Sequence, residues 1–153
     1  PQFAPELIPI LAEQKNGWYE IKTPQGSYQI GAASMGNPHA LMLLENVEDA
    51  DISELGFSIS GHAIFPKGCN AGFCEIINPD NIRLRVFERG AAETMACGSG
   101  ACAAVAILRR AGKVNSTVNV TQAGGVLIIS WTGGGEPVLM TGPAAYVYKG
   151  TLE

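Results

Sequence analysis

Glu88-Arg89-Gly90-Ala91-Ala92-Glu93-Thr94-Met95-Ala96-Cys97-Gly98-Ser99-Gly100-Ala101-Cys102 runs from the end of one strand, through a turn, to the start of a helix. The helix continues as Ala103-Ala104-Val105-Ala106-Ile107-Leu108-Arg109-Arg110-Ala111-Gly112. Ala, Leu and Arg favour helix, and Gly112 suits the position just past its end. Arg109, Arg110 and Lys113 fall at the negative end of the helix dipole, where cations are favoured. For about two turns this helix has no polar face, and a helix that is apolar all round is buried all round, so sheet should wrap it. Cys102 belongs to that stretch and reads as a small packed hydrophobe. At the other end, Cys97 adjoins Gly98-Ser99-Gly100, where the first free backbone N–H groups point outward. Such a terminus attracts a carboxylate and favours a thiolate over a thiol, which makes Cys97 a candidate base or nucleophile. The competing reading is a buried cysteine in a tight turn.

Upstream, Pro1, Pro5 and Pro9 impose an irregular, extended lead-in. Trp18-Tyr19-Glu20-Ile21, the turn Thr23-Pro24-Gln25-Gly26 and the stretch containing Tyr28 and Ile30 predict a hairpin. Gly36-Asn37-Pro38 is a turn that presents Asn37 and His39 ahead of the buried strand Leu41-Met42-Leu43-Leu44. Taken alone, Asn37 is a turn former and His39 a hydrogen-bonded core imidazole. Glu48 to Leu55 predicts a short helix capped by Asp51, with its acids on a solvated face, and His62 reads as structural. Cys69-Asn70 introduces the strand Phe73-Cys74-Glu75-Ile76-Ile77, which turns at Asn78-Pro79-Asp80-Asn81. Ile82-Arg83-Leu84-Arg85-Val86-Phe87 alternates as a strand with one wet face, putting Arg83 and Arg85 at the surface. Downstream lies a meander: Thr117–Thr121, a turn at Gln122-Ala123-Gly124-Gly125, Val126–Trp131, a turn at Gly133-Gly134-Gly135, and Val138–Gly142. Ala144–Tyr148 adds a last extended piece.

With 153 residues, 46% hydrophobic and 16% charged, the chain is expected to be one globular domain, single or compactly two-lobed, with a real core. A net charge of −4 argues against nucleic acid or an anionic membrane as partner. No apolar run approaches the ~20 residues that span a bilayer, and no signal-peptide pattern is present. Cys69, Cys74, Cys97 and Cys102 form no paired C-x-x-C knuckles, which disfavours structural zinc. Reduced thiols in a cytoplasmic setting are the expectation. A chain beginning with Pro is expected to be a processed or truncated product.

Met35-Gly36-Asn37-Pro38-His39, Asn70-Ala71-Gly72-Phe73, Asn81–Gly90 and above all Glu93–Cys102 resemble the carboxy-terminal half of bacterial diaminopimelate epimerase. The likeness starts at Pro1-Gln2-Phe3-Ala4-Pro5-Glu6-Leu7-Ile8-Pro9 and covers essentially the whole chain. It implies inversion of one stereocentre, interconverting LL- and meso-diaminopimelate for lysine and peptidoglycan precursor biosynthesis, with no pyridoxal phosphate or metal. Inversion at a weakly acidic Cα–H needs proton removal from one face and delivery to the other by a thiolate and a thiol. The resemblance assigns Cys97 as one of these, with Gly98 and Ser99 offering backbone N–H groups to the reacting carboxylate. It assigns Asn37, Asn70 and Arg89 to the distal end of the substrate. Glu88 serves both there and near the thiols, and His39 lies near the catalytic pair.

The family's first cysteine belongs to an amino-terminal domain in a Cys-Gly-Asn-Gly-type motif, and no such motif occurs here. Residues 1–153 therefore read as the carboxy-terminal domain of a two-domain enzyme, carrying half a site and inactive alone. The implied fold class is α+β: a largely antiparallel sheet of about eight strands around one central helix. The partners are small-molecule substrate and the missing amino-terminal domain; without that domain an exposed apolar face favours a homodimer. A proline racemase or phenazine-pathway isomerase of the same fold is the enzymatic alternative, although Arg89 and the two asparagines suit a distal carboxylate that proline lacks. A non-catalytic small-anion-binding domain is the third.

Overall fold

A computed structural model describes residues 1–152; Glu153, the last residue assigned to the domain, lies outside them. Nine strands and two helices follow in the order β1 (Tyr19–Thr23), β2 (Gly26–Ser34), β3 (Pro38–Leu43), α1 (Ile52–Ser60), β4 (Asn70–Asn78), β5 (Asn81–Glu88), β6 (Ala92–Thr94), α2 (Gly98–Arg110), β7 (Thr117–Gln122), β8 (Gly125–Ser130) and β9 (Leu139–Thr141). The strands form one sheet in the order β1-β2-β3-β4-β5-β7-β8-β9, with β6 attached to β5. Six of its pairings are antiparallel and two, β3 with β4 and β5 with β7, are parallel. Each parallel pair is joined by a helical crossover, as parallel strands require. The α+β class and the largely antiparallel sheet agree with the sequence.

The sheet forks at β5. Asn81–Arg83 pairs with β7, while Val86–Glu88 pairs with β6. The segment Met95–Cys97 leaves β6 beside the end of β7, where Gly124 N–H donates to Met95 O at 2.7 Å. Gly124 permits this approach, since a Cβ there would stand 3.1 Å from the same carbonyl oxygen.

Helix α2 lies against one face of the curled sheet, and every residue from Gly100 to Leu108 is buried. Its core includes Leu41, Cys74, Ile82, Leu84, Val86, Val118, Val120 and Ile129, the inward alternation of five strands. The helix closes as the sequence predicted. Gly112 has φ +68°, and the N–H groups of Gly112 and Lys113 return to Arg109 O and Leu108 O in a Schellman arrangement.

The opposite face carries a second core, which the sequence did not separate from the first. Ile8, Tyr19, Ile30, Met42, Phe73 and the α1 residues Ile52 and Ile59 fill it. Asp51 caps α1 by accepting the Glu54 N–H at 3.0 Å, as expected, but the helix runs on to Ser60. Gly56 lets it settle on β5, for a Cβ there would lie 2.4 Å from Phe87 Cβ.

Three expectations need correction. Arg85 is not a free surface residue: its guanidinium forks onto Glu93 (Nε–Oε1 2.7 Å, Nη2–Oε2 3.0 Å) and reaches Val47 O at 3.0 Å, tying β5, β6 and the loop before α1 together. Arg83 is exposed and pairs with Glu75. Gln122 is not a turn residue but the buried last residue of β7. The stretch after β9 adds no strand, and Tyr146, Val147 and Tyr148 stand exposed. His62 is structural as read, with Nε2 2.9 Å from Lys22 O.

Candidate active site

The end of β5 and the start of α2 converge on Cys97. The cysteine is the N-cap residue of α2, in extended conformation at φ −134° and ψ 104°. The first intrahelical bond is from Ala101 N–H to Cys97 O, at 2.9 Å, so the N–H groups of Gly98 and Ser99 have no carbonyl within the helix to meet. Both residues are half-buried, and Gly98 lies beside the exposed β9 residue Met140. Although Cys97 is only 6% exposed, its sulfur faces polar atoms. Sγ lies 3.3 Å from Glu88 Oε2 and 3.6 Å from Ser99 Oγ. The other oxygen of Glu88 accepts the Thr94 hydroxyl at 2.6 Å.

This geometry corrects the expected thiolate. Burial pushes the Cys97 thiol above its ordinary range; the Ser99 hydroxyl and the Gly100 N–H pull it down, and the Glu88 carboxylate pushes it up again. Desolvation outweighs the helix terminus, so the resting group is a protonated thiol donating to Glu88.

A second group assembles from three adjacent strand ends. His39 on β3 pairs in register with Asn70 on β4. Asn70 Oδ1 accepts the Arg89 backbone N–H at 2.9 Å, which fixes the residue following β5. His39 Nε2 stands 3.2 Å from Asn37 Oδ1, an oxygen that accepts from the ring N–H. Burial lowers the imidazole to about 4; Glu88 opposes that and Arg89 reinforces it, so the ring is neutral at neutral pH. The Arg89 guanidinium is exposed, donates to Lys67 O, and lines an open cleft of about 700 Å³ with Phe57 and Phe87. Gly68 makes room for it, since a Cβ there would meet Arg89 Cδ at 3.0 Å.

The predicted residues thus form two sets, Cys97–Glu88–Ser99 and Asn37–His39–Asn70–Arg89, joined through the neighbours Glu88 and Arg89. Sequence reasoning missed Thr94 and Gln122. Gln122 Oε1 accepts the Cys97 N–H at 2.8 Å. Neither had a local signal, because each reaches the site only through strand pairing. Among the described residues no group of three His, Cys, Asp or Glu side chains could hold a metal, and no helix is long and apolar enough to cross a membrane. All four cysteines are free.

Several known proteins are similar to this chain. A family model described as diaminopimelate epimerase matches residues 31–147. A curated diaminopimelate epimerase from Chromobacterium violaceum is 48% identical over 153 residues, all of this chain and 55% of that protein. The chain therefore spans about half the length of this curated relative. Among solved structures, a hydroxyproline epimerase from Agrobacterium vitis aligns with a TM-score of 0.58 at 19% identity, over 79% of this chain and 43% of that one. A probable proline racemase from Agrobacterium radiobacter aligns with a TM-score of 0.56 at 19% identity, over 74% and 40%. These two establish a shared fold. The family match over residues 31–147, which spans the helix mouth and both side-chain groups, shows that the chain belongs to the diaminopimelate epimerase family.

Proposed function

We propose that this chain is the carboxy-terminal domain of a two-domain diaminopimelate epimerase and supplies one of the two thiols that invert the substrate's α carbon. The observation that carries the reading is the Cys97 sulfur held 3.3 Å from the Glu88 carboxylate at the unfilled amide terminus of α2. A substrate carboxylate docked on the Gly98 and Ser99 N–H groups brings its α carbon next to that sulfur. Those donors strengthen their hold as negative charge builds on the carboxylate during proton loss. In one direction a thiolate of the amino-terminal domain takes the Cα proton and Cys97 delivers its own to the opposite face. The return direction exchanges the roles. Burial, seconded by Glu88, pushes the Cys97 thiol up, which suits the donor role. Ser99 and the Gly100 N–H stabilise the thiolate left after delivery.

Arg89 forks onto the distal carboxylate, with Asn37 and Asn70 beside it. His39, neutral and buried, holds Asn37 in place. The chemistry needs no cofactor, since both proton carriers are side chains. A biosynthetic role of this kind places the enzyme in the cytoplasm. Alone, the chain lacks the second thiol and does not epimerise. The test is Cα hydrogen exchange and epimerisation of LL-diaminopimelate in deuterated water, by the chain alone and joined to its amino-terminal domain. Turnover only by the joined protein is expected, and robust turnover by the chain alone sinks the half-site reading.

A further inference from the structure

Cys97 is held from a direction the proposed mechanism does not use. Its N–H leaves the helix axis and is donated to Gln122 Oε1, across the fork between β6 and β7. Gln122 is 7% exposed, and its Nε2 is buried without a partner among the described residues. Leaving an amide donor unpaired in the interior is unfavourable, so the single bond that this side chain makes is made against a cost. The second stitch across the fork, from Gly124 N–H to Met95 O, runs through backbone alone. Gln122 is thus the side chain that fixes the backbone of Cys97.

We infer that Gln122 is a positioning residue for the Cys97 thiol: by taking the Cys97 N–H it sets the N-cap backbone, keeps Sγ between Glu88 and Ser99, and leaves the Gly98 and Ser99 N–H groups to the ligand. The inference rests on the reading of Cys97 as the reacting thiol. Once φ and ψ of Cys97 are fixed, a single side-chain torsion places its sulfur. An unpinned N–H lets the Cα–Cβ direction swing, and displacements of about 1 Å are enough to disable a proton carrier. The titratable groups facing Cys97 are Glu88 from β5 and Cys102 from its own helix. Met140 of β9, which carries no charge, stands beside the adjacent Gly98.

The test is iodoacetamide alkylation of Cys97 in the 153-residue chain, followed residue by residue by mass spectrometry between about pH 6 and pH 11. Gln122→Leu keeps the volume and removes the acceptor. The sulfur then swings out of its buried seat between Glu88 and Ser99; because burial is the main influence that raises it, the alkylation midpoint falls toward that of an ordinary thiol and the plateau rate rises at least about threefold. Gln122→Glu keeps an acceptor oxygen, so its plateau stays within about twofold of the parent and its midpoint does not fall. A role in packing alone predicts the reverse, with leucine tolerated and glutamate disruptive. A leucine profile that superimposes on the parent or moves upward, or a glutamate profile freed as far as the leucine one, overturns the inference. Gln122→Asn, one methylene too short to reach, reads the same loss should the leucine variant fail a near-UV dichroism check. None of these readouts depends on diaminopimelate, whereas epimerisation by the joined parent protein tests the catalytic reading separately.

Discussion

At Cys97 two opposing influences meet on one sulfur: a helix terminus that favours the anion, and burial beside a carboxylate that favours the thiol. The second prevails. Even so, Cys97 and Cys102 are more approachable than Cys69 and Cys74, which are wholly buried and which burial pushes up to about 12. Timed alkylation with peptide mapping should therefore label Cys97 well before Cys69 or Cys74. In the joined protein, Cys97→Ser should lower turnover by about a hundred- to ten-thousandfold, the usual range for loss of a positioned proton carrier, with substrate binding largely kept. His39 gives a pH signature. Its folded value of about 4 lies below the ordinary 6.5, so between those values the unfolded chain binds the extra proton. Stability attributable to the neutral ring is complete above about pH 6.5 and falls as pH drops toward 4, by up to about 3 kcal/mol. Urea unfolding at about pH 7 and pH 4.5 should show this loss in the parent and a smaller one in His39→Gln.

Among the elements, α1 departs most from its sequence reading. The acids around Asp51 suggested a solvated turn of helix, yet Ile52, Gly56 and Ile59 bury a full face against β5 and β4. The cap at Asp51 was readable because a capping side chain acts within three residues. The length was not, because Gly56 looks like a breaker until Phe87 is seen beneath it. Gly56→Ala should cost about 1–3 kcal/mol despite alanine's better helix propensity, since the new methyl has no room. Denaturant unfolding measures it, and an unchanged midpoint would mean that α1 shifts without penalty. Arg85 makes the same point on β5. Alternation put it on the wet face correctly, but only tertiary contact with Glu93 and Val47 turns that position into a clamp.

Over the whole molecule, Leu7, Leu11, Phe57 and Ile77 are exposed apolar residues of the first half, and more follow toward the end of the chain. Leu139 and Met140 on β9 and Tyr146, Val147 and Tyr148 beyond it stand out, with Met95 exposed near the helix mouth. On the proposed two-domain reading, the amino-terminal domain covers exposed apolar residues of this kind, and the 153-residue chain alone is expected to self-associate through them. Sedimentation velocity over a range of concentrations should show the chain alone moving toward dimer, and the joined protein moving less. An isolated chain that stays monomeric at high concentration would remove the docking role from this surface.

The sequence by itself determined what local chemistry dictates. The run Gly100–Leu108 admits no polar face and so had to become the buried helix, Gly112 had to end it, and a cysteine at its mouth had to meet free amides. Asn37 and His39 were legible as residues presented by a turn and Arg89 as the residue where a strand stops and the motif begins, but their site roles, and that of Asn70, entered through family resemblance. Only the tertiary structure decided that β3 and β4, and β5 and β7, run parallel, that the sheet forks at β5, and that the fork brings Gln122 and Thr94 to Cys97 and Glu88. It also decided the protonation of the thiol. Strand partners and burial depend on residues far apart in the chain, whereas caps, turns and helix faces depend on residues three or four apart.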